Sequence, residues 1–210
     1  MAPRETTDTA ARRKLILGTA ERLFHHYGHA KTTIADIARE ARIAVGSVYL
    51  EFTSKEAILE ALSCAKHDRV LEAMRRAARE DAPFAVRFVA VFEERVTRLL
   101  ELRVEGHHAC ELVACTATGV ARARERFVLE EQAFLRSLLE QARDDGALGI
   151  TEPREAAELV QRAFVSLSPP LLFEHEAHEA RRHARGLAEL LLTGLLARPE
   201  ARRPVRIRTR

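Results

Sequence analysis

Helix-forming residues fill nearly every window of this chain, and that feature most constrains its fold. Alternation of β-branched and polar residues is almost absent, and only nine Gly and seven Pro interrupt 210 residues. Ala, Leu, Glu and Arg lose little side-chain freedom in a helix, so their dominance favours helices throughout. Hydrophobic residues make up 47% of the chain and charged residues 31%, which is typical of a globular protein with a core. The sequence therefore predicts an all-α fold.

Apolar residues at helical spacing place the first four helices. A stripe over 11–27 is ended by Gly28, a suitable C-cap. A short helix over 34–41 follows Thr33, and a second short helix is expected over about 45–52. Ser54 then caps a long fourth helix that begins at Lys55.

Turn and helix-start residues divide the rest of the chain into longer amphipathic helices. The last two of these are expected over about 153–168 and 176–197, which gives about nine helices in total. Their apolar stripes predict a helical bundle. A terminal segment, 199–210, is rich in Arg and is expected to be disordered.

Several classes of protein have no support in the sequence. No apolar run approaches the ~18 to 20 residues that span a bilayer, and no signal peptide is evident, so we expect a cytoplasmic protein with no membrane contact. Three cysteines, Cys64, Cys110 and Cys115, are too few for a disulfide framework. The chain has no catalytic triad, phosphate-binding loop or dinucleotide motif, so we expect neither an enzyme nor a cofactor.

Residues 32–55 carry the most specific pattern in the chain. Two short helices joined by a turn of about three or four residues form a helix-turn-helix, whose second helix enters the DNA major groove. The characteristic elements are Thr32-Thr33, Ile37-Ala38, Tyr49 with Phe52, and Ser54-Lys55-Glu56. With these elements the segment from Arg13 to Leu62 resembles the DNA-binding domain of the TetR family of transcriptional regulators.

The resemblance implies a function and a division of the chain. It implies a homodimeric, sequence-specific DNA-binding regulator that reads a palindromic operator and is released from it, as a repressor, by a small-molecule effector. The three-helix DNA-binding domain would occupy 1–55, with the recognition helix at about 45–52. A helical effector and dimerisation domain would occupy 56–198. A TetR-like DNA binder controlled by a protein partner, or by metal or thiol oxidation, is the alternative.

The resemblance also assigns DNA contacts. They are Thr32, Thr33, Val45, Gly46, Ser47, Tyr49 and Lys55. Thr33 caps a helix whose N-H groups can meet a phosphate, and Tyr49 and Lys55 would also bind phosphate. Gly46 and Ser47 lie at the start of the recognition helix, the end that reaches base edges.

Three residues depart from the family pattern. Arg42 stands in the turn where glycine is usual, so the turn must form without glycine's freedom, or Arg42 adds a phosphate contact. Ala44 replaces a Ser or Thr cap, at a cost of ~1 kcal/mol. Val45 replaces a polar residue and can offer only an apolar contact, for instance to a thymine methyl.

Phenylalanines in the second half of the chain suggest both a core and a cavity. The family resemblance implies a cavity among helices four to eight, and a mostly apolar effector to fill it. The expected lining residues are Phe88, Phe92, Cys110, Val113, Phe127, Phe134 and Phe164.

A palindrome is read by two DNA-binding domains held about one turn of DNA, ~34 Å, or a multiple of it apart, so we expect a dimer. The apolar faces of the last two long helices suit a four-helix interface across a two-fold axis. The expected interface residues are Ala156, Val160, Ala163, Leu167, Leu187, Leu190, Leu191 and Gly194.

Two groups of residues leave a sensing role open. The first group surrounds the end of the first helix and consists of His25, His26 and His29. It is most simply a solvated helix end, with metal binding or a phosphate-facing role as the rival interpretations. The second group fits a core segment, the lining of a pocket, or a metal or oxidant sensor. Its members are His107, His108, Cys110, Glu111 and Cys115. No metal site is assigned.

Overall fold

The computed structural model describes residues 4–104, 108 and 111–196, and the all-α prediction is confirmed. Within these residues the helices are α1 Arg4–Tyr27, α2 Ile34–Glu40, α3 Val45–Glu51, α4 Lys55–Ala78, α5 Phe84–Val104, α6 Glu111–Ala114, α7 Thr118–Asp144, α8 Pro153–Ala163 and α9 Ala177–Leu195. Short 3₁₀ turns occupy Val165–Leu167 and Leu171–Glu174. The segment 199–210, expected to be disordered, lies outside the described residues.

Helices α1 to α3 share a small core of their own. Ile16 and Phe24 of α1 pack with Ile37 of α2 and Val48 of α3. The first turns of α4 close this core with Ile58, Leu59 and Leu62, and α6 and α7 add Leu112 and Val120. We call α1 to α3 the head and α4 to α9 the bundle. The head is not separate from the bundle, because the first turns of α4 complete the head core.

The bundle is built around α4, which packs along both α5 and α7, while α8 packs on α7 and α9 on α5. Aromatic rings fill its centre. The rings of Phe92 and Phe164 stack with centroids 4.0 Å apart, and Phe88 meets Phe92 edge-on at 5.2 Å. The buried apolar stripes predicted for these helices thus interlock in one core.

The predicted extent of the eighth helix is wrong. A helix over about 153–168 was expected, but α8 ends at Ala163 and the chain continues through the 3₁₀ turn Val165–Leu167. Ser168-Pro169-Pro170 follows, and proline lacks the N-H that a continuing helix would need. This break matters because the residues after α8 form part of a pocket wall.

The head is joined to the bundle by polar contacts around the start of α4. The Gly119 N-H donates to a Glu56 carboxylate oxygen at 3.1 Å. A side chain at Gly119 would place its Cβ 2.5 Å from the Glu56 carbonyl oxygen, so only glycine lets α7 begin this close to α4. The His29 N-H donates to Glu111 at 3.3 Å, linking the α1–α2 loop to α6.

Among the described residues, no helix is both long enough and apolar enough to cross a membrane.

Candidate DNA interface and bundle pocket

Helix α2 begins with a reciprocal capping box. The Thr33 hydroxyl accepts a hydrogen bond from the Asp36 N-H at 3.1 Å, and the Thr33 N-H donates to the Asp36 carboxylate at 3.0 Å. Two N-H groups that a helix start leaves unpaired are thereby satisfied. The helix start predicted from Thr33 is confirmed.

The turn between α2 and α3 depends on Arg42, which has a φ of 56°. This left-handed conformation costs a non-glycine residue roughly 1–2 kcal/mol. The Ile43 N-H donates to the Ala38 carbonyl at 3.0 Å and closes the turn. The turn thus reaches its geometry without glycine. The Arg42 side chain is exposed and, among the described residues, makes no hydrogen bond or ion pair.

Helix α3 turns one face outward beside this arginine. Its exposed positions are Val45, Gly46, Tyr49 and Leu50. Ser47 is half-buried, and Val48 points into the head core. Leu50 is 78% exposed and was missed in the sequence analysis. Its position four residues after Gly46 could have revealed it, because that spacing repeats on one helical face.

Two predicted DNA contacts have partners inside the head. The Lys55 ammonium donates to the carbonyl oxygens of His29 and Thr32, each at 2.8 Å. Two of its three donors are therefore used to hold the α1–α2 loop. The Thr32 hydroxyl is buried and donates to the Gly28 carbonyl at 2.9 Å, so in this conformation it cannot reach a phosphate.

Most other cations of the head are also paired. Arg12 forms an ion pair with Glu51 at 2.6 Å, and Arg39 pairs with Asp36. Among the Lys and Arg side chains of this region that the structure describes, those with no hydrogen bond or ion pair to a described residue are Lys14, Lys31 and Arg42. Arg42 is the one of these that adjoins α3.

A pocket of about 460 Å³ lies in the bundle, lined by α4 to α8 and the segment after α8. Its apolar lining residues are Leu99, Val113, Phe127, Val128, Val165, Pro169, Pro170 and Leu171. Its polar and charged lining residues are His67, Arg95, Arg124, Glu131, Gln132, Glu158, Gln161, Arg162 and Ser168. The pocket wall is therefore more polar than the set of lining residues predicted from the sequence.

Of the predicted lining residues, Val113 and Phe127 lie on the pocket wall. The predictions for Phe88, Phe92 and Phe164 are wrong, because all three are buried in the ring cluster described above. Phe134 lines a separate surface groove beside Arg75 instead. Cys110 lies outside the described residues.

A buried ion pair forms part of the pocket wall. Arg95 Nε donates to Glu131 at 2.5 Å, and its two terminal nitrogens donate to the Leu167 carbonyl and the Ser168 hydroxyl, each at 2.9 Å. The Gln161 amide donates to the second Glu131 oxygen at 2.8 Å. This network joins α5, α7, α8 and the segment that follows α8.

This ion pair was not predicted from the sequence, although the sequence contains a signal for it. Phe88, Phe92 and Leu99 mark the buried stripe of α5, and Arg95 falls within that stripe. A charged residue on a buried helical face requires a partner, because an unpaired buried charge is very costly. The sequence could not identify Glu131 as that partner.

His67 lies on the pocket wall and is buried. Its ring stacks on Phe127 with centroids 4.7 Å apart, and its Nδ1 has no hydrogen-bond partner among the described residues. Burial, followed by the positive charges of Arg95, Arg124 and Arg126, lowers the pKa of His67 to about 4. The imidazole is therefore neutral at pH 7.

This neutral histidine predicts a loss of stability in acid. The unfolded chain takes up a proton near the ordinary His pKa of 6.5, whereas the folded chain does so only at about 4. As the pH falls through this window the unfolded state binds more protons, so the unfolding free energy should fall by up to about 3 kcal/mol from this group. Urea unfolding of the wild type and His67→Gln between pH 7 and pH 4.5 measures the difference.

The control is the exposed His178→Gln, which should lose stability in acid as the wild type does. An equal acid-induced loss in the wild type and in His67→Gln would contradict the assignment to His67.

The comparisons with known proteins match both parts of the chain. Residues 16–62 match the family model for bacterial regulatory proteins of the tetR family. The regulator AcrR of Shigella flexneri is 25% identical over 97% of this chain and 98% of its own length. The regulator TtgR of Pseudomonas putida is 31% identical over 53% of this chain and 56% of its own. Residues 16–62 are therefore a TetR-family DNA-binding domain, and the relatives support a TetR-family transcriptional regulator.

The fold of this chain is also found in solved structures. A TetR-family regulator from Syntrophomonas wolfei superposes with a TM-score of 0.69 at 18% identity, over 89% of this chain and 97% of its own. A complex of SmeT with triclosan superposes with a TM-score of 0.66 at 20% identity, over 90% and 93% of the two chains. The protein is a DNA-binding transcriptional regulator, and the relatives it matches are regulators rather than enzymes.

Helices α8 and α9 leave apolar residues uncovered. Leu190 of α9 is 69% exposed, and Leu159 of α8 is 59% exposed. Val160 and Leu167, both predicted for a dimer interface, are instead buried in the core of their own subunit. The other residues predicted for the interface are either exposed, as Gly194 is, or half-buried, as are Ala156, Ala163, Leu187 and Leu191. The available face is thus displaced by one residue on α8, from Val160 to Leu159.

The histidine and cysteine groups lie mainly where the head meets the bundle. His29 Nε2 is 3.1 Å from a Glu56 carboxylate oxygen, and His108 Nδ1 is 2.6 Å from Glu111. No group of three potential metal ligands occurs in the part of the chain that the structure describes. Burial raises the pKa of the Cys64 and Cys115 thiols, which reduces the reactive thiolate.

Proposed function

We propose that this regulator is a repressor that a mostly apolar small molecule, bound in the bundle pocket, releases from a palindromic operator. The observation that carries the proposal is the position of α4, which helps to close the head core at one end and lines the pocket with His67 further along. We propose 1–55 as the DNA-binding domain and 56–198 as the effector and dimerisation domain, with α4 coupling them.

Contacts at the first turn of α4 support this coupling. Lys55 holds the loop between α1 and α2 by two hydrogen bonds, and Glu56 accepts from the start of α7. His67 follows Lys55 by twelve residues, about 18 Å along a rigid helix. A ligand that favours a different tilt of α4 would therefore shift the head, and the free energy that links the two sites is typically ~1 to 3 kcal/mol.

In the proposed complex, the exposed face of α3 enters the major groove. Val45, Gly46, Ser47 and Leu50 would face base edges, while Tyr49, Thr33 and Arg42 would hold phosphates. Lys55 keeps one donor for a phosphate in addition to its contacts within the head. Thr32 is left out of the proposed contacts because its hydroxyl is buried.

This arrangement predicts different effects for a phosphate contact and a base contact. Arg42→Gln should weaken binding to operator and to random DNA alike and lower the salt slope by about one, because one phosphate contact is lost. Val45→Ala should change the preferred sequence and leave the salt slope intact. Fluorescence anisotropy with operator and random DNA at several salt concentrations distinguishes the two effects.

The control for this experiment is Arg136→Gln on α7, far along the chain from the head and in an exposed pair with Glu140. It also removes one positive charge, and it should leave the DNA affinity and the salt slope unchanged. An Arg42→Gln protein with the wild-type salt slope would show that Arg42 makes no phosphate contact.

A thermodynamic cycle tests the proposed switch. Triclosan is a suitable first probe because it is the ligand named in the SmeT complex. If triclosan binds saturably and weakens operator binding, then operator DNA must weaken triclosan binding by the same factor. Calorimetric titration of triclosan with and without operator, and of operator with and without triclosan, measures the two changes in affinity.

Val128→Trp provides the pocket variant, because Val128 lines the pocket but is partly exposed, so the larger ring can be accommodated. It should weaken triclosan binding and leave effector-free DNA affinity unchanged, whereas Val86→Trp on α5 should change neither. Equal dissociation constants with and without operator would reject the switch. They would favour control by a protein partner, or by metal or thiol oxidation.

A further inference from the structure

We propose that the bundle pocket selects an organic anion, that is, a molecule with an apolar body and one acidic group that lies against Arg124. This inference rests on the proposed function, in which the pocket holds the effector, and it specifies the chemical class of that effector.

The charges of the pocket wall do not balance. Arg95 is paired with Glu131, and Arg162 is paired with Glu158 at 2.6 Å. Arg124 also lines the pocket and has no hydrogen bond or ion pair within the described ranges. Once the pairs are cancelled, the described wall therefore carries one uncompensated positive charge at Arg124.

His67 offers a hydrogen-bonding group to the same ligand. Its buried ring lines the pocket, and its Nδ1 has no hydrogen-bond partner among the described residues. Burial, followed by the positive charges of Arg95, Arg124 and Arg126, lowers the pKa of this ring and keeps it neutral. A neutral imidazole can still donate one hydrogen bond, and an anionic oxygen is a strong acceptor. The same positive surroundings disfavour a cationic ligand.

The space that remains in the pocket suits an apolar body. The cavity of about 460 Å³ has apolar surface that is provided by Leu99, Val113, Phe127, Val165 and Leu171. Pockets of this size hold ligands that are largely apolar and are oriented by a few polar groups. A bicyclic aromatic ring with one acidic substituent would contact the apolar side chains with its ring and would contact Arg124 and His67 with its acidic group.

The experiment compares 1-naphthalenesulfonate with naphthalene-1-sulfonamide by calorimetric titration of the full chain. The two probes share the ring and the sulfonyl group and differ in one negative charge at pH 7. We expect the sulfonate to bind the wild type about tenfold tighter or more, because a charge-assisted contact is stronger than a neutral one.

Arg124→Gln should remove this preference while leaving the affinity for the sulfonamide within about twofold. Arg136→Gln provides the matched control, because it removes an arginine from the same helix, α7, that does not line the pocket. It should retain the wild-type preference.

Several outcomes would overturn the inference. They are equal affinities for the two probes, tighter binding of the sulfonamide, failure of both probes to bind, and a preference that persists in Arg124→Gln. None of them decides the proposed function. The proposed function is judged by whether an uncharged compound or triclosan binds saturably and releases the operator.

Discussion

Glu131→Gln should destabilise the protein by roughly 3–5 kcal/mol, although it removes only one charge. The substitution keeps the size of the side chain but leaves the buried Arg95 guanidinium without its counter-ion. A buried charge without a partner is far more costly than a buried pair, and this pair also holds the Leu167 carbonyl and Ser168. Urea unfolding at pH 7 measures the loss.

The neighbouring Glu130→Gln is the matched control. Glu130 pairs with Arg126 at the surface, so its loss should cost less than about 1 kcal/mol. Arg95→Met combined with Glu131→Leu should cost less than the sum of the single changes, because no unpaired charge remains. Similar losses for Glu130→Gln and Glu131→Gln would contradict the role assigned to the buried pair.

Leu190→Glu should produce a folded monomer that binds operator at least about 100-fold more weakly, because the proposed dimer gains its affinity from two linked heads. Leu190 is exposed on α9, so a charge there is harmless in the single subunit. In the proposed four-helix interface, the same charge would be buried opposite its symmetry copy without a partner. Analytical ultracentrifugation and operator titration measure the two effects.

Val86→Glu serves as the control because Val86 is also an exposed apolar residue but lies on α5. It should leave both the oligomeric state and DNA binding unchanged. A Leu190→Glu protein that still sediments as a dimer would move the interface away from this face of α9.

The local features of the head could be predicted from the sequence. The capping box of Thr33 and Asp36 and the cap at Ser54 are formed by residues three positions apart. The strained turn at Arg42 could also be anticipated, because a residue in that position must adopt the conformation usually taken by glycine. Interactions of this kind depend on a few neighbouring residues, which a sequence displays directly.

The orientation of the bundle helices was less predictable. An apolar stripe identifies the buried side of a helix only to within one position, so Val160 and its neighbour Leu159 could not be distinguished. The phenylalanines of α5 and α8 fitted both a cavity wall and a packed core. The structure decides for the core, because Phe92 and Phe164 stack directly on each other.

The sequence by itself determined the helices, the caps and the helix-turn-helix, because these depend on contacts between residues close together in the chain. Only the tertiary structure decided which polar groups meet. Arg95 meets Glu131 across 36 positions, and Lys55 meets the carbonyl of His29 across 26. Such contacts depend on how whole helices pack, and a helical pattern specifies the buried side of each helix without specifying its partner.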